Sequence, residues 1–222
     1  MTKKRWIATL TALAIVVAAA LTTAAVLSHG TARAASEDDS PLLEHATVAP
    51  TTTIPRTTST RATTTTVDLA KLPHPLPPPA DPYAAGPVTQ IGSIQIPKIG
   101  LLHQVFEGIT LTVIDHGPGH WPGSAMPCQR GNAVFPGHRV THTHPFLDLD
   151  RLAPGDQIVF HMPGKDCVYK ITGTKIVLPS ALYVTDPTPT PTVTLIACNP
   201  KHSAAQRIVV TGKLIAAIPR PA

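Results

Sequence analysis

The pattern of apolar and polar positions divides this chain into three regimes. From Trp6 to Leu27 the residues are almost all apolar and none is charged. From 28 to 87 threonine and proline dominate, with the run Pro77-Pro78-Pro79 near the end. From Val88 onward, short apolar runs alternate with Gly/Pro breaks. Ile91–Ile96 and Leu101–Phe106 are parted by Pro97 and Gly100. Ala133–Phe135 ends at Pro136-Gly137, and Gln157–His161 follows the turn Ala153-Pro154-Gly155-Asp156. Cys167–Leu178 reads as one bent strand or two, with Gly173 at the bend. Val193–Ala197 and Ile208–Val210 close the series, both β-branched and short. Short helices are expected at Thr110–Asp115 and Pro145–Leu152. Many short strands with Gly/Pro turns predict a mostly β domain, a small closed or nearly closed barrel.

The first regime is long enough to span a bilayer, which takes about 20 apolar residues. Lys3, Lys4 and Arg5 precede it, so residues 1–5 are expected in the cytoplasm, 6–27 as an anchor in the lipid, and the rest outside. A signal peptide is the alternative, with Ala32-Arg33-Ala34 as a small-x-small cleavage site. Residues 28–87 are expected to be a disordered stalk, because this composition buries too little apolar surface to offset ordering entropy. Residues 88–220 form the expected folded domain, close to the commonest domain size.

Composition narrows the function. Only 4% of the residues are aromatic, and basic residues do not cluster with them, which argues against a nucleic-acid partner. Three cysteines, Cys128, Cys167 and Cys198, lie in the exported part. Outside the cytoplasm paired cysteines oxidise, and an odd count leaves one over. A Cys128–Cys167 disulfide with Cys198 free is one arrangement; three free thiols is the other that sequence allows.

Cys198 ends one apolar run, and Arg207 heads the next, nine residues on. If the two strands are neighbours, thiol and guanidinium face one cleft, and a nearby positive charge favours the nucleophilic thiolate. His138 follows another strand and a Pro-Gly turn. Thiol, imidazole and cation together suit acyl transfer: the thiolate attacks a carbonyl, the imidazolium protonates the departing amine, and the cation stabilises the oxyanion.

The segments A-V-F-P-G-H-R (Ala133–Arg139) and T-L-I-A-C (Thr194–Cys198), with the downstream Arg207, resemble the sortases, cysteine transpeptidases of Gram-positive cell surfaces. The N-P-K-H-S-A-A-Q-R tail and G-P-G-H-W-P-G-S (Gly117–Ser124) look most like class E. The resemblance implies an eight-stranded β-barrel, with Cys198 as nucleophile, His138 as general acid/base and Arg207 as oxyanion or substrate holder. It places His120, His142 and Ala197 along the substrate groove. It implies cleavage of a C-terminal sorting signal of L-A-x-T-G or L-P-x-T-G type after Thr, through a thioacyl enzyme resolved by a cell-wall precursor amine. The implied partners are surface proteins bearing that signal, the amine acceptor, and membrane lipid around the N-terminal helix. Two positions depart from the family: Ala197 stands where T-L-x-T-C has its second threonine, and His142 stands where class E members commonly carry tyrosine.

His138, His142 and His144 form an H-x3-H-x-H pattern, and imidazole is a common metal ligand. A fourth ligand is not evident beyond His120 or Cys198, so no metal and no cofactor are expected. His116 and Arg139 read as surface residues, Arg151 as a cation ending a helical turn, and Trp121 and Phe146 as core. An L,D-transpeptidase would place His and Gly directly before the cysteine and Arg two after it; here Ile196-Ala197 and Pro200 stand there. A non-catalytic membrane-anchored wall or metal-binding module is the alternative to an enzyme.

Overall fold

Residues 66–221 are described by the computed structural model. The expected anchor at 6–27 and most of the expected stalk lie outside them. Among the described residues, no helix is long and apolar enough to cross a membrane.

Eight strands appear: β1 Thr89–Ile96, β2 Leu101–Glu107, β3 Gly119–His120, β4 Asn132–Pro136, β5 Gln157–Met162, β6 Lys165–Val177, β7 Thr192–Asn199 and β8 Gln206–Pro219. They form one sheet in the order β3-β2-β1-β5-β6-β8-β7-β4. The β2–β3 and β4–β7 pairs are parallel and the other neighbours antiparallel. The sheet curls until its two edge strands approach, and the Trp121 amide just after β3 donates to the Val134 carbonyl on β4 at 2.8 Å. The result is a nearly closed barrel, as the strand pattern predicts.

The interior is filled by Phe135, Phe160 and Tyr169, with ring centroids 4.6 and 6.0 Å apart along the series. Side chains alternate across a strand. On β7, Val193, Leu195 and Ala197 therefore enter the inner core, while Ile196 faces the other way and packs with Trp121, Val134 and Val209. Both faces of β7 are covered, which is why its sequence is a continuous apolar run.

The expected bend in β6 is present: the β6–β8 register shifts between Ile171 and Gly173. β8 runs far past the predicted Ile208–Val210. The long β6 supplies a hydrogen-bonding partner along its whole length, so the strand runs through the polar break Thr211-Gly212-Lys213 into Leu214–Ile218, whose apolar side chains are half-buried or exposed. The first expected helix is a single turn, α1, Leu111–Ile114. The second, at Pro145–Leu152, is corrected to a chain of turns with a 3-10 turn only at Leu149–Arg151. There the Leu147 carbonyl accepts from the Arg139 side chain instead of a helical amide.

Part of the stretch expected as linker is held against the barrel. The Leu76 amide donates to the Pro122 carbonyl at 2.8 Å, the Trp121 indole donates to the Leu76 carbonyl at 2.8 Å, and the Leu111 amide donates to the Pro82 carbonyl at 2.7 Å. Proline-rich chain is stiff and extended, so docking it costs less ordering entropy than docking a flexible segment.

Candidate active site

β7 and β8 form a hairpin in which Cys198 and Arg207 are direct cross-strand partners. Residues opposite one another on an antiparallel pair share a face, so thiol and guanidinium lie side by side. Cys198 is the free cysteine and is partly accessible. Arg207 is steadied by its own loop: one terminal nitrogen donates to the Ala204 and Gln206 carbonyls at 2.8 and 2.9 Å.

His138 reaches the same place from β4. The Gly137 amide donates to the Ile196 carbonyl at 2.9 Å, which carries the β4–β7 ladder one residue past the strand. The chain then turns back over Phe146. A Cβ on Gly137 would lie 2.8 Å from carbons of the Phe146 ring, so only glycine lets the loop sit this low. The Phe146 amide closes the loop on the His138 carbonyl at 3.2 Å. His138, Cys198 and Arg207 consequently line one cavity of about 210 Å³ with Leu111, Ile114 and Pro136.

A second cleft, about 340 Å³, opens on the other side of Cys198 and His138, walled by His202, Ser203 and Ala204. Beyond Arg207 lies an apolar groove of about 270 Å³, lined by Trp121, Ile196 and Leu182 and on its outer side by Pro78, Pro79 and Pro82. Asn132 holds another wall: its amide donates to the Val184 and Asp186 carbonyls, and its oxygen accepts from Thr194 on β7.

Two residues that the sequence reading did not assign to the site are built into it. Asp115, at the end of α1, takes a hydrogen bond from His138 Nε2 at 2.7 Å. This fixes the ring and leaves Nδ1 as the nitrogen with no protein partner among the described residues. Nothing in the local sequence marks Asp115, which is 23 positions away. Arg139 is not the surface charge expected. It is 2% exposed, with Nε on the Leu147 carbonyl at 2.7 Å, Nη1 on the Cys198 carbonyl at 3.3 Å and Nη2 on Asp150 at 2.8 Å. It therefore ties the loop after His138 to the backbone of Cys198. Lys201 continues the tie, donating to Asp148 at 3.1 Å. The Lys201 ammonium bonded to Asp148 holds that carboxyl below its ordinary 3.8.

The other expected groove residues separate. His142 is brought in: its Nδ1 lies 3.3 Å from Asp115 Oδ1, and its ring stacks on His138 with centroids 4.8 Å apart. Ala197 borders the cavity where β7 passes beside Cys198, but its side chain is in the core. His120 is not brought in. Its ring is 3% exposed and bonded to Glu107 at 2.8 Å, Ser124 at 3.0 Å and the Ala125 carbonyl at 3.0 Å, inside the barrel wall. His144 and His116 are exposed. Trp121 and Phe146 are buried as expected. The disulfide joins Cys128 to Cys167. Among the described residues one cluster could hold a metal: Asp115, His138 and His142 each offer a ligand atom, all within 4.8 Å of one another.

A family model of the sortase domain matches residues 94–215. Sortase SrtE1 of Streptomyces coelicolor is 34% identical over 143 residues, 57% of this chain and 41% of that protein. Sortase D of Bacillus subtilis is 34% identical over 86 residues, 39% of this chain and 42% of that protein. The chain thus spans less than half the length of these curated relatives. A crystal structure of sortase E1 from Streptomyces coelicolor, with a tripeptide in its active site, aligns with TM-score 0.57 and 30% identity, covering 62% of this chain and 94% of that one.

Proposed function

The chain belongs to the sortase family and is class E-like, and from that premise we propose that it is a cysteine transpeptidase acting on a sorting signal of L-A-x-T-G or L-P-x-T-G type. The observation that carries this reading is the shared cavity of Cys198, His138 and Arg207. The signal peptide lies in the apolar groove between Trp121 and the proline segment, with its Thr carbonyl beside Cys198. The thiolate attacks that carbon. Arg207, whose Nη1 is occupied by loop carbonyls, turns its remaining N–H groups to the oxyanion or to the peptide backbone. The Thr–Gly C–N bond breaks, His138 gives its proton to the departing glycine amine, and a thioester remains on Cys198. An amine of a cell-wall precursor enters by the cleft along His202 and Ser203 and attacks the thioester. His138 takes a proton from it, and Cys198 leaves as thiolate. Asp115 keeps the imidazole in register through both steps.

In this reading residues 6–27 hold the protein in the cell membrane with its N-terminus in the cytoplasm, and the domain works outside. The test uses the full chain with fluorogenic L-A-x-T-G and L-P-x-T-G peptides, with and without a glycine amine. Cleavage of at least one peptide and amine-dependent product are expected, both lost in Cys198→Ala and in His138→Ala. Equal cleavage by Cys198→Ala would overturn the assignment.

A further inference from the structure

We propose that Asp115, His138 and His142 form a binding site for a divalent transition metal of the zinc class, one seated on the face of the crevice beside Cys198. Two imidazoles and one carboxylate are a three-ligand set that zinc takes, with its fourth position left to water. The two rings stack at 4.8 Å and 29°, and an in-plane nitrogen of each points at the same oxygen, Asp115 Oδ1. The two ring nitrogens therefore converge on one point, where a cation would meet both of them and the carboxylate.

The distances fit with little movement. Tetrahedral zinc with bonds of about 2.0–2.1 Å keeps its ligand atoms about 3.3 Å apart. Asp115 Oδ1 and His142 Nδ1 are already 3.3 Å apart. The Asp115–His138 contact, now 2.7 Å, needs to open by about 0.6 Å. The third edge closes from within 4.8 Å. The site is open to entry: Asp115 is one-third and His142 one-half exposed. Zinc takes the lone pairs of the two nitrogens after their protons have moved to the opposite ring nitrogen or to solvent. Nitrogen ligands select zinc over calcium and magnesium, which prefer oxygen shells. The sequence pattern His138-x3-His142-x-His144 points to a histidine site but misassigns its third member: His144 is exposed with its Nδ1 on the His142 carbonyl at 3.1 Å, and Asp115 fills its place.

A consequence, which rests on the proposed role of His138, is that bound zinc withdraws its imidazole from proton transfer and silences the enzyme reversibly. The binding itself does not depend on that role, so it is measured first and without peptide. Calorimetric titration of the full chain with zinc chloride should show one strong site. Binding should weaken by at least about tenfold in each of Asp115→Ala, His138→Ala and His142→Ala, and persist in Cys198→Ala. Calcium and magnesium should produce no comparable site. An absent strong zinc site, one that survives His142→Ala, or one lost in Cys198→Ala would each overturn the proposal. If zinc binds as described, it should also stop peptide cleavage, with recovery on adding a chelator. Zinc binding in a protein that cleaves no peptide would leave the metal site standing and count against the transpeptidase reading alone.

Discussion

At the scale of single residues, the account assigns three side chains different work on one reaction. Arg207 is the most separable, because it contributes donors and no chemistry. Arg207→Ala is expected to lower kcat/KM for the sorting peptide by about 10²–10³-fold, the usual loss of an oxyanion donor, while the thiol still reacts with iodoacetamide. A variant retaining more than half of the activity would remove Arg207 from the mechanism. Tyr169 gives a residue-scale prediction about stability. Burial pushes its phenol from 10.0 up to about 12, against the opposing effect of the Cys128 amide that donates to its oxygen at 2.8 Å. The folded state therefore holds this proton more tightly than the unfolded chain. Its contribution is whole below pH 10 and is lost as pH rises from about 10 to about 12, on the order of 3 kcal/mol. Urea midpoints across that range should fall more steeply for the native protein than for Tyr169→Phe. Identical slopes would contradict the assignment.

Cys198, His138 and Arg207 were legible because each stands at the edge of an apolar run beside a recognisable break, and the order of those segments carries the family pattern. Asp115 and Arg139 were not. Asp115 acquires its meaning only when α1 is laid against the end of β4, a long-range juxtaposition without a local trace. Arg139 was visible but misjudged, since a charge next to a loop histidine gives no sign of whether carbonyls and a carboxylate wait to receive it. His120 failed in the opposite direction: its motif is family-like, yet the histidine serves the barrel wall through Glu107 and Ser124.

At the scale of elements, the site is a meeting of two strand ends, β4 and β7, which run parallel in register from Asn132/Thr192 to Pro136/Ile196. Parallel pairing sends both chains out of the sheet on the same side, so His138 and Cys198 leave it together. Arg139 then locks the two exits. Removing it would leave the Leu147 and Cys198 carbonyls without this donor, while the half-exposed Asp150 keeps Lys201 at 3.7 Å. Arg139→Ala is expected to destabilise the domain by about 1–3 kcal/mol for each buried carbonyl left without a donor. Arg139→Lys should recover only part of this, because one ammonium cannot span the acceptors that a planar fork reaches. Thermal unfolding of both variants checks this; a melting temperature within 1–2 °C of native for Arg139→Ala, a cost well under about 1 kcal/mol, would show the tie to be dispensable. The strand pattern conveyed most elements, but not the length of β8. There Thr211-Gly212-Lys213 breaks the apolar run, and the backbone ladder with β6 carries the strand across that break.

At the scale of the whole molecule, a nearly closed barrel is fastened across its interior by Cys128–Cys167, which are 39 positions apart. Closing a loop of this length stabilises a chain by up to about 4 kcal/mol. Reduction should shift the urea midpoint of the Cys198→Ala protein downward by a corresponding amount, and an unchanged midpoint would contradict this. The docked segment around Leu76–Pro82 shows what composition concealed at this scale: prolines read as stalk also furnish a groove wall, because Trp121 and Pro122 offer the hydrogen-bond partners that such a segment lacks internally.

If the protein is a transpeptidase, the accessible thiol at the end of β7 carries the acyl group. Intact-mass spectrometry of the full chain, quenched in acid during incubation with L-A-x-T-G or L-P-x-T-G peptide, tests it most directly. The expected result is an added mass equal to that of the peptide up to its threonine, mapped to Cys198, discharged by a glycine amine and missing from Cys198→Ala. No added mass with either peptide, in protein whose Cys198 still alkylates readily, would contradict it.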